Sequence, residues 1–453
     1  MISIDAVADT LTELHDRLRT LDEGTVADYI PQLATVDRRL FGLALVSMDG
    51  HLYTAGDADV PCTIQSVSKP FVYALALADL GLAEVSRRVG AEPSGEAFNA
   101  ISLEPGTGRP ANPMVNAGAI VTTSLVAADS PEQRFERILA CLSAFAGRPL
   151  DVDEQVFASE AATGDRNRAL AHLMRGAGSL TGSVDDAVTT YFRQCAIRVT
   201  AADLAVMAAT LANGGVNPVT GTAVVPEPIA MRVLAVMATC GMYDAAGDWL
   251  LRVGLPAKSG VSGALIAASP ARFGIAVFSP PLDATGNPVR GVAVLREASE
   301  RFGLHLMHHR PAAAPTVTSV GPGRSTRPRS RAAAALLAAA ADRITVVAVQ
   351  GALEFTETER LLHALDQAIS AAVPSWVVLD LGRVTFIAPG AASMLDGLPM
   401  RLRDHGVTVV VVDVGGLLTA SSRHWTGFAG LDAAVAWCED QLLADQGPRV
   451  GSA

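Results

Sequence analysis

Apolar residues between positions 4 and 22 recur as Ile4, Val7, Leu11, Leu14 and Leu18. That spacing predicts an amphipathic helix, and Gly24 ends it. The pattern then switches to strand character. Residues 41–47 and 51–55 flank Met48-Asp49-Gly50, where Asp-Gly supplies the positive φ angles of a tight hairpin turn. From Ser66 to about residue 250 the pattern is mostly helical, with breaks such as Pro105-Gly106 and Asn213-Gly214-Gly215. Strand character returns at 265–268 and 273–278, around a proline-containing turn, and at 291–294, before a helical pattern over 295–307. Strands at both ends of a helical stretch predict one sheet built from both termini of a domain, with a helical insertion. The fold class is α+β.

Between Arg310 and Arg331 the periodicity disappears. The composition turns to Pro, Ala, Thr, Ser, Gly and Arg, and Arg324, Arg327, Arg329 and Arg331 make the stretch locally basic. We read a solvated linker whose charges keep it soluble. Beyond it, 344–349, 376–381 and 407–412 are apolar strand candidates, and Thr356-Glu357-Thr358-Glu359 reads as a capping box before a helix to about Ser370. Strands alternating with helices predict a small α/β domain with a largely parallel sheet. The expected division is therefore 1–309, a linker over 310–341, and a second domain over 342–445.

Composition narrows the partners. A net charge of -11 opposes non-specific binding to nucleic acid or anionic lipid. No apolar run reaches the roughly 18 to 20 residues of a membrane span, and Met1-Ile2-Ser3-Ile4-Asp5 has no basic n-region or apolar h-region. Five scattered cysteines, Cys62, Cys141, Cys195, Cys240 and Cys438, form neither a disulfide framework nor a CxxC metal site. These features predict a cytoplasmic protein. His305, His308 and His309 lack acidic or cysteine co-ligands, and Gly321-Pro322-Gly323 lacks the lysine of a phosphate loop. Neither a metal nor an organic cofactor is expected.

The candidate chemistry comes from a count. Thirty-five residues are Lys or Arg, yet only Lys69 and Lys258 are lysines. A surface charge is served by Arg throughout, so a retained lysine supplies what guanidinium cannot, a proton that can be given up. Both lysines adjoin serines, in Ser66-Val67-Ser68-Lys69 and Lys258-Ser259-Gly260. On a helix, positions 66 and 69 share a face, so the amine can reach the Ser66 oxygen. Acting as a base near neutral pH requires the lysine pKa to fall by roughly 3 units, through burial and a second cation. Lys258 is the candidate for that cation. Pro70 is tolerated because a helix's first turn does not need its N–H.

Ser-x-x-Lys followed far downstream by Lys-Ser-Gly on a strand resembles the serine β-lactamases and penicillin-binding proteins. The intervening residues sharpen the likeness. Tyr29 within VADYIPQLA (26–34), Gln65 to Lys69, Glu92-Pro93-Ser94-Gly95, NPMVNAGAI (112–120), Ser159-Glu160 with Asp165-Arg166-Asn167, TTYFRQC (189–195), MAATLANGGVNP (207–218), Cys240 to Tyr243 and Leu255 to Val261 together resemble the serine-dependent glutaminases. The similarity runs from about Val26 to about Leu306.

That resemblance implies a β-lactamase/DD-peptidase-like catalytic domain, an antiparallel sheet plus a helical subdomain, that hydrolyses L-glutamine to L-glutamate and ammonia. It makes Ser66 the acylated nucleophile and Lys69 its base, with Lys258 in the catalytic set. Tyr29 and Tyr243 would assist proton transfer. Asn116, Glu160, Asn167, Tyr191 and Tyr243 would hold the substrate, and the Val261 N–H would join Ser66 in an oxyanion hole. A zwitterionic amino acid needs one anion for its ammonium, which Glu160 supplies, and neutral donors for its carboxylate. The resemblance also implies a homo-oligomer, often a tetramer.

Residues 343–441 resemble a STAS domain through VVAVQGALEF, WVVLDLGRVTFI and the helix after it. Members that act as phospho-switches carry Asp-Ser-Ser/Thr-Gly after the strand's Ile. Here Ile387 is followed by Ala388-Pro389-Gly390-Ala391, and nothing places Ser393 in the missing role. The expected role is interaction or regulation, with an unknown protein or ligand as partner and no phospho-switch. Two rival readings use the same residues: a β-lactamase or peptidase, and a catalytically silent amino-acid sensor.

Overall fold

A computed structural model describes residues 6–94, 103–104, 106–308, 316–372, 374–418 and 424–445. Expectations on Met1 to Asp5, Gly95, His309 and residues 310–315 fall outside these. The chain forms two compact units, Met1–His308 and His309–Ala453.

In the first unit, β1 (Gly42–Ser47) and β2 (Leu52–Gly56) make the hairpin turned at Gly50, whose φ is 80°. Three short strands, β3 (Cys62–Thr63), β4 (Asp151–Val152) and β5 (Ile197–Val199), form a separate antiparallel sheet. Two or three residues cannot show alternation, so this sheet leaves no periodic signal in the sequence. β6 (Ala257–Ser259), β7 (Ala264–Ser269) and β8 (Phe273–Phe278) complete the main antiparallel sheet, in the order β2-β1-β8-β7-β6.

Because successive side chains point to opposite faces of a strand, β1, β7 and β8 each serve two cores. Leu43, Leu265, Ile275 and Val277 meet Leu11 and Leu14 of the helix Ala6–Leu18 and Val294 and Leu295 of the helix Val289–Phe302. Ala44, Val46, Ile266 and Ala276 belong to the opposite core, with the helix Ala201–Ala212. Each Leu, Ile or Val so buried contributes about 1.5–3 kcal/mol relative to exposure. The helix lies so close that a Cβ on Gly274 would stand 2.1 Å from the Ala209 nitrogen. The helix Val289–Phe302 also corrects the expectation of a strand at 291–294. Four residues of Gly-Val-Ala-Val fit either period, and packing of Val294, Leu295 and Ala298 decided for the helix.

The second unit is a mixed sheet of β9 (Val317–Pro322), β10 (Ile344–Leu353), β11 (Trp376–Ile387), β12 (Thr408–Val412) and β13 (Thr426–Phe428), in the order β13-β12-β11-β10-β9. β10 to β13 are parallel, and β9 joins β10 antiparallel. Leu361 and Leu365 of the helix Phe355–Ala372 pack with Val347, Leu379 and Val411 on one face, and Val435 and Cys438 of the helix Leu431–Asp445 with Val378 and Val410 on the other.

Two expectations fail in this unit. The stretch read as linker contains β9 and the helix Arg331–Ala339. Its arginines are engaged: Arg327 pairs with Asp440, and Arg329 with Glu439 and Asp440. An edge strand held by main-chain hydrogen bonds, with both faces largely exposed, leaves no hydrophobic period in the sequence. The capping box is also absent. The helix already starts at Phe355, which puts Thr356 inside its first turn.

Among the described residues no single helix is long and apolar enough to cross a membrane. The helices Glu227–Cys240 and Tyr243–Arg252 pass a length and composition test together but bend by 92° at Gly241-Met242, and the first contributes Ile229, Val233 and Met237 to the core.

Candidate active site

Ser66 sits in a single 3-10 turn, Gln65–Ser68, that runs straight into the helix Lys69–Arg88, with Pro70 in the helix's first turn. Gln65 has a φ of 47°, a left-handed conformation unusual for a residue with a side chain. Such strain persists where surrounding contacts over-determine it, and here they are visible. The Gln65 carbonyl accepts from the Ser68 hydroxyl at 2.7 Å. Beside the turn β6 ends, and on the next residue, Gly260, a Cβ would come within 3.2 Å of Val67 Cγ2 and 3.3 Å of the Ile64 carbonyl oxygen. Glycine lets this strand approach the nucleophile turn. Val261 follows it, and neither the Ser66 nor the Val261 backbone N–H donates to another described residue.

Lys69 is buried, and its Nζ donates to Asn116 Oδ1 at 2.7 Å and to the Met114 carbonyl at 3.2 Å. Burial brings its pKa down from the usual 10.5 to about 8, against the opposing pull of Cys195 and Glu160. The Ser66 hydroxyl instead interacts with the Tyr243 hydroxyl, which also donates to the Ser259 carbonyl at 2.9 Å. Tyr243 is itself left-handed, with a φ of 55°. Its burial pushes the phenol pKa up to about 12, so it holds its proton at neutral pH.

Lys258 departs from its expected part. Its Nζ donates to the Gly241 and Ser259 carbonyls at 2.9 and 2.7 Å and lies 3.9 Å from the centroid of the Tyr243 ring. Burial, and then the charge of Lys69, push its pKa well below the ordinary lysine value. Its charge does not figure among the causes that lower Lys69. Burial alone carries the Lys69 shift.

A cavity of about 270 Å³ opens over Ser66, lined by Tyr29, Asn116, Glu160, Asn167, Tyr191 and Val261 among others. Glu160 lies on the helix Glu154–Thr163 and Asn167 on the helix Asp165–Gly176, two helices hinged at Gly164. Glu160 is buried, and its Oε2 has no hydrogen-bond partner among the described residues. Burial raises its pKa to about 7, against a hydrogen bond with Gln65 and the charge of Lys69. A buried carboxylate oxygen without a donor, facing a cavity, is built to take a cationic hydrogen-bond donor. Asn116 is the hub of the wall: Oδ1 also accepts from the Tyr191 hydroxyl at 3.4 Å, and Nδ2 donates to Asn167 Oδ1 at 3.0 Å. Tyr29 is 49% exposed, yet its hydroxyl turns inward to donate to Gln65 Oε1 at 3.4 Å, and burial of that end raises its pKa. Ile30, packed on Leu33, Val261 and Leu282, anchors the loop that carries it.

The family profile named Glutaminase matches residues 24–307, which contain every one of these side chains. The chain belongs to the glutaminase family. Glutaminase 2 of Bradyrhizobium diazoefficiens is 44% identical over 451 residues, covering 96% of this chain and 71% of the relative. A glutaminase of Corynebacterium glutamicum is 43% identical over 409 residues, covering 90% of this chain and 94% of the relative. The crystal structure of Mglu in its glutamate form superposes with a TM-score of 0.79 at 40% identity, covering 91% of this chain and 99% of that one. The profile named Mlab, STAS domain, matches residues 332–429.

This glutaminase thus has a β-lactamase-like first unit and a STAS domain as its second. Of the ten residues singled out in the sequence, seven line the cavity; of the other three, Lys69 donates to Asn116 of its wall, Tyr243 touches Ser66, and Lys258 lies over the Tyr243 ring. Gln65, Thr163, Gly164 and Arg166 also line it without having been assigned a role. Gln65 and Arg166 lay inside the motifs, and only the fold shows that they face the cavity. In the STAS domain, the helix Pro389–Asp396 starts at the stretch lacking the phospho-switch residues, and the Ser393 hydroxyl donates back to the Pro389 carbonyl at 3.0 Å.

Proposed function

We propose that this glutaminase hydrolyses L-glutamine through a glutamyl ester on Ser66. The carrying observation is the convergence on one cavity of a hydroxyl in a strained turn, a lysine buried just behind it, and the unpartnered carboxylate oxygen of Glu160. Ionised Glu160 takes the substrate ammonium, while Asn167 and Tyr191 offer neutral donors to the α-carboxylate. The side-chain amide then lies over Ser66. Ser66 Oγ attacks the amide carbon as Lys69, neutral above pH 8, accepts its proton. The carbonyl oxygen becomes an oxyanion between the Ser66 and Val261 N–H groups, each donor worth about 10²–10³ in rate. Collapse breaks the C–N bond, and the Tyr243 phenol, a proton donor at this pH, hands its proton to the departing nitrogen and is resupplied from Lys69. Water, deprotonated by the same groups, cleaves the ester to L-glutamate. Lys258 holds Tyr243 in place, tying together Gly241 and Ser259 on either side of it. That Mglu, similar over most of its length, was solved in a glutamate form fits this product.

The test is ammonia release from L-glutamine by the purified chain, beside Ser66→Ala, with asparagine and a cephalosporin as controls. Glutamine-selective release falling about 10⁴-fold or more in Ser66→Ala is expected. Release that survives in Ser66→Ala would overturn the nucleophile. The STAS domain we assign to interaction or regulation without phosphorylation of its helix start.

A further inference from the structure

We infer that Thr123, Gln194 and Ser68, three side chains outside the cavity, form a one-way hydrogen-bond chain that aims the Ser66 backbone N–H at the oxyanion. The inference rests on the acyl-enzyme reading above. All three side chains are fully buried. They come from separate elements: the helix Asn116–Leu125, the helix Val184–Cys195 and the nucleophile turn.

The direction of the chain is fixed link by link. Thr123 has a single hydroxyl proton and donates it to Gln194 Oε1 at 2.9 Å. That sets the amide, so Gln194 Nε2 faces Ser68 Oγ and donates to it at 2.9 Å. With a lone pair of Oγ so occupied, the one proton of Ser68 goes to the Gln65 carbonyl at 2.7 Å. Reversing any link would set two donors or two acceptors against each other.

The last link reaches the chemistry through peptide planarity. The carbonyl of Gln65 and the N–H of Ser66 belong to one rigid plane and point in opposite directions. Holding the carbonyl on Ser68 therefore holds the N–H the other way. The plane needs holding, because Gln65 is left-handed and relaxation of its φ would swing the peptide. Gln65's side chain is pinned separately, donating to Thr63 Oγ1 at 3.3 Å, so beside the main-chain bonding of the turn the Ser68 hydroxyl is the side-chain restraint on the carbonyl. None of the three residues lines the cavity, so they are positioning residues.

A positioning role predicts a split between kcat and KM that a general loosening would not produce. In the full chain, Ser68→Ala should lower kcat for glutamine about 10- to 100-fold, below the loss of an entire oxyanion donor. KM and inhibition by L-glutamate, which depend on Glu160, Asn167 and Tyr191, should stay within about threefold. Ser68→Cys, with a weak donor of similar shape, should recover part of kcat. Thr123→Val keeps the shape and frees only the Gln194 amide, so it serves if Ser68→Ala misfolds, with an expected kcat loss of about 3- to 10-fold. A kcat within twofold of wild type in both folded variants would overturn the inference, as would kcat, KM and Tm worsening together without recovery in Ser68→Cys. Ser66→Ala in the same series separates the two failures. Turnover persisting there sinks the acyl-enzyme reading and the positioning with it; a silent Ser66→Ala beside a fully active Ser68→Ala sinks the positioning alone.

Discussion

Each unit has a strand leading into a helix start where chemistry could be placed, and the two starts are built differently. At Gln65–Ser68 the first residue is left-handed, the residues are buried, and Gln194 of a neighbouring helix, itself held by Thr123 of another, donates to Ser68. At Ala388, before the helix Pro389–Asp396, the backbone is extended, no side chain caps the helix, and the nearest hydroxyl is spent on its own helix. A strained turn costs about 1–3 kcal/mol and is kept only where the surroundings enforce it. The second start carries no such cost because it has no reactive group to hold. The contrast agrees with the acyl-enzyme chemistry proposed for the first unit and with the interaction or regulation proposed for the STAS domain.

Three measurements bear on that contrast. The largest effect belongs to Glu160→Gln, which keeps the shape but removes the charge meant for the substrate ammonium. KM for glutamine should rise by about 10- to 100-fold, the weight of a charge-assisted hydrogen bond of about 1.5–3 kcal/mol, with a smaller change in kcat. An unchanged KM would leave the buried carboxylate without a purpose.

The next effect is in the pH profile of kcat/KM, which reports groups of the free enzyme. Lys69 must be neutral, with its pKa lowered to about 8, and Glu160 ionised, with its pKa raised to about 7. Activity should therefore rise about tenfold from pH 7 to pH 8 and then level, and fall about 100-fold per unit below pH 6, where both groups are protonated. Glu160→Gln should reduce that acid slope to about tenfold per unit. A profile flat from pH 6 to 8 would remove Lys69 as the base.

The smallest effect is expected in the second unit. Ser393→Asp, placing a phosphate-like charge one turn into the helix Pro389–Asp396, past its uncapped start, should leave kcat and KM within about twofold of wild type. A larger change, or stoichiometric phosphorylation of this helix start by a cognate kinase, would turn the contrast around and make the STAS domain a charge-operated switch.

The legibility of the site follows the nature of its interactions. Ser66, Lys69, Tyr29, Glu160 and Tyr191 could be named as candidates because side-chain chemistry is written in residue identity and in the motifs that carry the resemblance. The setting of Lys258 was not legible because a sequence shows only a cation, whereas its burial and its hydrogen bonds to the Gly241 and Ser259 carbonyls exist only in the fold. Gln194 and Ser68 stood inside the quoted motifs and drew no attention, since their importance lies in which atom donates to which. In the fold, the hairpin, the long strands and most helices followed from periodicity. β9 escaped because its support is main-chain pairing, and the strand at 291–294 was wrong because four apolar residues carry no period.

By itself the sequence determined the α+β and α/β patterns of the two units, the family, and the pairing of a serine with an uncommon lysine, all properties of composition and spacing along the chain. Tertiary structure decided the rest: which lysine donates to Asn116, that a Glu160 oxygen has no partner among the described residues, and how a strained peptide is held. Those depend on burial and on distances between residues as far apart as Ser68 and Gln194, and desolvation and hydrogen-bond direction arise only when such residues are brought together.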